Sequence, residues 1–343
     1  MVEIDGSKGE GGGQVLRSAL ALSMATGQPF HMVNVRANRE KPGLMRQHLT
    51  CVQAAREVCS GGVNGAEVGS REVMFVPGAI RPDAYRFAIG TAGSTMLVMQ
   101  AILPAVLFAG GEFAFTVEGG THNTSAPIFE FFQRVLLPRL AAMGAQVEAD
   151  LRKHGFYPAG GGCVVVQVRP GAPARPLTIE AAGKLVDRRI RVVNAHIHPD
   201  VPRREISALA AALGWEDRPS EVFDVTESRS PGNALMAIVA GEGVYEVFSA
   251  IAERGKRSEV VADEVIEQVQ AFLAHGAPVG EHLADQLLVP MALGAGGSFV
   301  TGPLSSHTST NIETIRLFLG DVVTTEPASG GGRCVRVNVR GRM

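Results

Sequence analysis

The chain lacks the features of several function classes. Its four cysteines, Cys51, Cys59, Cys163 and Cys334, form no Cys-x-x-Cys pair. Such scattered thiols read as small hydrophobes in a reducing compartment. No segment approaches the roughly 18 uninterrupted apolar residues of a membrane span, so no membrane partner is expected. Met1-Val2-Glu3-Ile4-Asp5 has neither a basic region nor an apolar leader, so a cytoplasmic protein is expected. Neither sign of charge dominates: 32 Lys+Arg against 34 Asp+Glu leave a formal net charge of −2. That balance does not point to a protein that coats a nucleic-acid duplex. What is present describes a globular protein. Its 343 residues, 45% hydrophobic and 19% charged, are enough for two domains and a large core.

Near the N-terminus stands Gly9-Glu10-Gly11-Gly12-Gly13-Gln14-Val15-Leu16-Arg17. Glycines let backbone N–H groups crowd around an anion, and the apolar run that follows reads as a helix whose N-terminus the loop caps. The loop is neither familiar phosphate loop. It has no Gly-Lys-Ser/Thr ending, and Gln14 stands where the dinucleotide fingerprint needs its last glycine. Glu10 would repel a phosphate unless a divalent cation lay between them, so the loop suggests a metal–nucleotide site. A tight turn before a buried helix is the simpler alternative. Arg36, Arg39, Lys41 and Arg46 form a local basic patch, followed by Gln47 and His48. Such a patch suits gripping one or two phosphates, although a solvated basic loop would read the same way.

Three segments share one layout of glycine loop, apolar helix, glycine and short strand. They open at Gly11, at Gly90-Thr91-Ala92-Gly93-Ser94-Thr95 and at Asp285-Gln286. Each is followed by an amphipathic helix, at about 43–59, 126–143 and 310–319. The fold expected is α/β (α+β), with repeated modules of two helices and a four-stranded sheet making a large domain. Residues 184–275 break the repeat and read as strand, helix, three strands and helix. The expected division is therefore a discontinuous domain, 1–183 with 276–343, and a smaller inserted α/β domain, 184–275. Loops before equivalent helices of a repeat tend to face one another.

Several stretches strongly resemble the RNA 3′-terminal phosphate cyclases. They are Gly9–Arg17, Arg36–Leu44, Arg46–Thr50, Gly90–Thr95, His154-Gly155-Phe156-Tyr157-Pro158-Ala159-Gly160-Gly161-Gly162 and Ala284-Asp285-Gln286-Leu287. The resemblance runs from Asp5 to Leu319 and is weakest in the insert. It implies an ATP-dependent enzyme that adenylylates a histidine, passes AMP to an RNA 3′-phosphate and leaves a 2′,3′-cyclic phosphate. By resemblance the nucleophile is His307, in a short segment before the last helix. An imidazole is largely neutral near pH 7, with a lone pair free to attack phosphorus. Glu10 matches the family's metal ligand, for Mg2+ or Mn2+. Arg17, Arg36, Arg39, Arg46 and Gln47 match residues that hold the triphosphate or the RNA phosphates, a task suited to guanidinium forks.

The implied ATP site comprises Gln100, Pro127, His282, Leu283, Ala284, Asp285 and Gln286. Pro127 and His282 would sandwich the adenine, but His282 stands where the family pattern has tyrosine. An imidazole still stacks on a purine. Asp285 with Gln286 reads equally as a helix cap. His196 and His198 could pair on a metal but lack a third ligand, and His122 receives no role. Two other classes stay open at this point: a non-catalytic scaffold relative, expected to lack His307 and Glu10, and an enolpyruvyl-type transferase of similar repeated architecture. The partners expected are ATP and RNA 3′-phosphate ends, with monomer and homodimer both open.

Overall fold

A computed structural model describes residues 1–328 and 333–343. The chain begins with β1 (Val2–Asp5), α1 (Gln14–Thr26), β2 (Phe30–Val33), α2 (Arg46–Val58), β3 (Gly62–Asn64) and β4 (Val73–Val76). The pattern repeats as β5 (Ala84–Ala88), α3 (Thr95–Val106), β6 (Phe113–Gly119), a second helix, β7 (Gln146–Lys153) and β8 (Gly162–Arg169). That second helix starts as α4 (Phe129–Phe131), widens into a π-helical stretch at Phe132–Leu136 and finishes as α5 (Leu137–Ala142). β9 (Leu177–Ile179) then starts a third unit. The unit is interrupted by β10 (Leu185–Ala195), α6 (Asp200–Leu213), β11 (Ser220–Val225), β12 (Gly232–Gly241), β13 (Val244–Ile251) and α7 (Ser258–His275). It resumes with α8 (Glu281–Leu293), β14 (Gly296–Thr301), α9 (Ser306–Leu319), β15 (Val323–Pro327) and β16 (Val335–Arg340).

The three repeats have one topology. Their sheets run β1-β2-β4-β3, β5-β6-β8-β7 and β9-β14-β16-β15. In each, the first pair is parallel and the other two pairs are antiparallel. The α/β class of repeated modules read from the sequence is the class observed. Glycine punctuates the repeat because the backbone needs it. Gly27, at φ 74, closes α1 in the left-handed region and donates its N–H to Ser23 O.

The first helices of the modules, α1, α3 and α8, pack on one another at the centre of the molecule. Every residue of α1 from Gln14 to Met24 is buried, as a helix surrounded on all sides requires. Their N-terminal turns meet, which brings the preceding loops together.

The interrupting segment has a differently ordered sheet, β11-β10-β12-β13. Successive residues of its strands face opposite ways. Ile190 and Val192 pack with α6, α7 and Trp215 in a separate core. Val193 and Ala195 belong to the main core. Some boundaries differ from the sequence expectation. β10 begins at Leu185 rather than Arg191, because charged residues occupy its solvent-facing start. α8 begins at Glu281 and α9 at Ser306, ahead of the expected Asp285 and Thr310. Among the described residues, no helix is long and apolar enough to cross a membrane.

Candidate active site

The glycine loop packs against the far end of the sequence. Gly9 and Gly11 have φ of 63° and 64°, a conformation that side-chain-bearing residues rarely adopt. A Cβ on Gly9 would overlap the Thr310 side chain of α9. Thr310 Oγ1 also accepts the Glu10 N–H at 2.9 Å. A Cβ on Gly12 would collide with the Glu10 carboxylate and come within 2.7 Å of Arg39 Nη2. One on Gly13 would strike the His48 ring and lie 2.8 Å from Arg17 Nη1. The missing side chains are thus the space in which the polar groups of the site sit.

At the start of α1, Gln14 is buried and joins two other helices. Its Nε2 donates to Asp285 Oδ1 at 2.5 Å, and its Oε1 lies 3.0 Å from His307 Nδ1. An amide oxygen only accepts, so Nδ1 of His307 carries the proton and Nε2 keeps its lone pair. His307 is exposed in the first turn of α9, rather than in the segment before it. That turn is capped by Ser305 Oγ, which accepts the Thr308 N–H at 3.1 Å.

Asp285 Oδ1 also accepts from Asn311 Nδ2 at 2.9 Å, and Ser18 Oγ donates to Asn311 Oδ1 at 2.8 Å. Desolvation raises the Asp285 carboxyl to about 6, against the Asn311 hydrogen bond and the charges of His307 and Arg17. Asp285 lies in the second turn of α8. The N-cap of that helix is Gly280, which rules out the helix-cap alternative.

The cationic side is assembled from α1, the loop after β2 and α2. Arg17 is buried, and its Nε donates to Gln100 Oε1 on α3 at 2.7 Å. Arg39 pairs with Glu10, whose side chain is 7% exposed. The other Glu10 oxygen, Oε2, is buried without a hydrogen-bond partner among the described residues. Burial, then Arg17, Arg36 and Arg39, depress His48 to about 3, so it is a neutral member of this cluster. Gln47 Oε1 accepts the Ser94 N–H at 2.5 Å, linking α2 to the loop before α3. Arg46 is exposed at the first position of α2. Arg36 serves its own loop instead. Its Nη1 donates to the Lys41 and Gly43 carbonyls at 2.7 and 2.9 Å.

Beside this cluster, Gln100, Pro127 and Gln286 line one small pocket whose apolar wall includes Met96, Phe132 and Pro290. The π-helical stretch supplies Phe132 and Leu136 to that wall, in keeping with the frequent placement of such bulges at functional sites. His282 is exposed, its ring edge-on to Phe131 at 6.4 Å. Leu283 and Ala284 are buried in the main core, so their side chains do not line the pocket.

A family model described as RNA 3′-terminal phosphate cyclase matches residues 8–325. The chain belongs to the RNA 3′-terminal phosphate cyclase family, a family of enzymes. A protein of that name from Ectopseudomonas mendocina is 46% identical over 99% of this chain and 98% of its own length. One from Salmonella typhimurium is 46% identical over 98% of this chain and 99% of its own. A solved EPSP synthase from Acinetobacter baumannii is 14% identical with a TM-score of 0.31, covering 95% of this chain and 62% of that one. That likeness is too slight to bear on fold or activity.

Set against the cyclase motifs, the structure gathers Glu10, Arg17, Arg39, Gln47, Gln100, Asp285 and His307 around the meeting helix ends. Among the described residues there is no group of three or more His, Cys, Asp or Glu arranged to hold a metal. Sequence reasoning passed over Gln14, His48 and Asn311. Gln14 had a visible signal, since it is the polar residue that spoils the dinucleotide fingerprint. Asn311 stands four residues after His307 but had no assigned task. His48 gave none, because the arginines that surround it come from two separate segments, α1 and the loop after β2.

Proposed function

We propose that this cyclase-family chain uses ATP to convert an RNA 3′-terminal phosphate into a 2′,3′-cyclic phosphate. His307 Nε2 attacks the α-phosphorus, forming a P–N bond as the bond to diphosphate breaks. The RNA 3′-phosphate displaces the histidine to give RNA-(3′)pp(5′)A. The adjacent 2′-hydroxyl then attacks its own phosphate, loses its proton and expels AMP. That last step draws on proximity that can be worth roughly 7–11 kcal/mol. The reading rests on one observation, the Gln14 bridge that leaves Nε2 of an exposed histidine free to attack.

Arg17, Arg39, Arg46 and Gln47 would hold phosphate oxygens, with Arg36 shaping the loop that carries Arg39. Gln100, Pro127, His282 and Gln286 would hold the adenosine. Phosphoryl transfer depends mainly on positioning and charge neutralisation, which this set can supply. The donor set fits a divalent ion of the Mg2+ or Mn2+ kind. Such ions bind through one or two carboxylates plus phosphates and water, and Glu10 offers one oxygen with no other hydrogen-bond partner among the described residues. When bound there, the ion would neutralise charge on the leaving diphosphate. We also propose that residues 184–275 form a domain inserted into one made of 1–183 and 276–343.

The test is incubation with ATP labelled at the α-phosphate and a divalent metal. The expected result is acid-labile, alkali-stable label on wild type and none on His307→Ala, with the label chased by RNA 3′-phosphate into released AMP while the RNA ends become phosphatase-resistant. Undiminished label in His307→Ala would sink the mechanism.

A further inference from the structure

The loop 154–162 carries a feature that the adenylylation chemistry does not use. Phe156 is 1% exposed and anchors the loop, while the next residue, Tyr157, stands 80% exposed. One exposed ring is ordinary in itself. This one, however, is mounted rigidly and beside the catalytic loops. Phe156 bridges to Gly160 in antiparallel fashion. Gly160 packs so closely on the loop before α3 that a Cβ would lie 2.7 Å from Thr91 O. Two residues further along that loop, Gly93 abuts Gln47, and Ser94 N donates to Gln47 Oε1.

The other half of the mount comes from the loop between β11 and β12. Ala159 N donates to Ser230 Oγ at 3.0 Å, and Gly232 lies against the Phe156 ring. The exposed Arg229 lays its stem across Gly161, where a Cβ would lie 3.0 Å from Nε. Two loops from distant parts of the chain thus meet, one carrying the uncovered ring of Tyr157 and the other an exposed Arg229 that packs on Gly161 of the same loop as Tyr157. The pocket lined by Gln100, Pro127 and Gln286 is built from different elements, so this pair does not belong to it.

We infer that Tyr157 and Arg229 form a shelf for the RNA strand just upstream of its 3′-phosphate. Tyr157 stacks on a base and Arg229 holds a backbone phosphate, an inference that rests on the cyclase reading above. Single-stranded RNA is gripped by stacking on aromatic rings and by cations along its backbone. Every base has a π-face, so the shelf tolerates sequence. It also gives residues 184–275 a task, since Arg229 comes from them.

The test is an anisotropy titration of a fluorescein-labelled single-stranded RNA bearing a 3′-phosphate, alongside KM for its cyclisation. Tyr157→Ala should raise both Kd and KM roughly 5- to 100-fold, the usual weight of one stacked base. Tyr157→Phe should restore both, because the ring does the work. Arg229→Ala should weaken binding and lower the slope of log Kd against log salt by about one. Label taken up from ATP without RNA gauges the fold of each variant, so the loss must appear in the RNA-dependent readouts. Wild-type affinity in both alanine variants would overturn the shelf, as would equal losses in Tyr157→Phe and Tyr157→Ala. A wild type that takes no label from ATP would instead overturn the cyclase reading, and the titration would still decide whether this surface binds RNA.

Discussion

His307 Nδ1 and Gln14 Oε1 meet at 3.0 Å although 293 residues separate them. The contact sets the chemistry of the histidine. Asp285 takes the Gln14 N–H, the amide oxygen is thereby turned to the ring, and the neutral ring is held in the tautomer whose lone pair lies on the other nitrogen. A buried glutamine is thus a positioning residue for a nucleophile at the opposite end of the chain.

Removing that acceptor should slow adenylylation without unfolding the protein. In Gln14→Leu, of similar volume, nothing selects the tautomer with a free Nε2. Supporting groups of this kind are typically worth about 10- to 100-fold. The measurement is the single-turnover rate of label uptake at saturating ATP, with thermal unfolding as the control. Wild-type labelling by Gln14→Leu would show that the bridge has no part in the reaction.

The same bridge makes a pH prediction. A carboxyl raised to about 6 is ionised above that pH and loses its charge as pH falls through it. Protonation weakens Oδ1 as the shared acceptor of Gln14 and Asn311, so the labelling rate should fall as pH drops through about 6. In Asp285→Asn the amide oxygen accepts at every pH. Its lower activity should therefore fall less steeply as pH drops through about 6, and an identical acid limb in the variant would refute the assignment.

Gly12→Ala tests whether the glycines clear space for the site or for the fold. Gly12 is not among the glycines with positive φ, so alanine strains no backbone there. Its Cβ would instead press on the Glu10 carboxylate and Arg39 Nη2, the far ends of side chains that can move. Stability should change by less than about 1 kcal/mol. The metal concentration for half-maximal labelling should rise at least about tenfold if Glu10 is a ligand. Unchanged metal dependence would remove Glu10 from the metal site.

These cases also show why part of the molecule was legible in sequence. The repeat was readable because its glycines answer local backbone demands, as at Gly27, and because apolar periodicity is a local signal. Strand β12 was readable for the same reason: it is a mostly buried run that begins at Gly232 and ends at Gly241. The start of α8 was not. Its N-terminal N–H finds its acceptor on Glu246, 34 residues away on β13. Nor was the Gln14 bridge, whose geometry exists only once three helix ends have met.

Glu246 gives the remaining prediction. It is 2% exposed on β13, and its Oε1 accepts the Gly280 N–H at 2.8 Å. Gly280 caps the helix that carries His282, Asp285 and Gln286. Burial raises the Glu246 carboxyl to about 7, opposed by that hydrogen bond and by Arg139. The folded protein therefore holds this proton more tightly than the unfolded chain does. Between about pH 4.5 and 7 stability falls as pH rises, and above 7 the cost of a buried charge is fully present. Glu246→Gln keeps an acceptor for Gly280 but cannot ionise. Relative to that variant, wild type should lose on the order of 1–3 kcal/mol between pH 5 and pH 8, by the usual 1.4 kcal/mol per pKa unit. Urea midpoints of both proteins at the two pH values measure it. Parallel midpoints would show that Glu246 does not titrate in this range. Glu246→Leu, which removes the acceptor altogether, should raise KM for ATP as well, because the first turn of α8 loses its anchor.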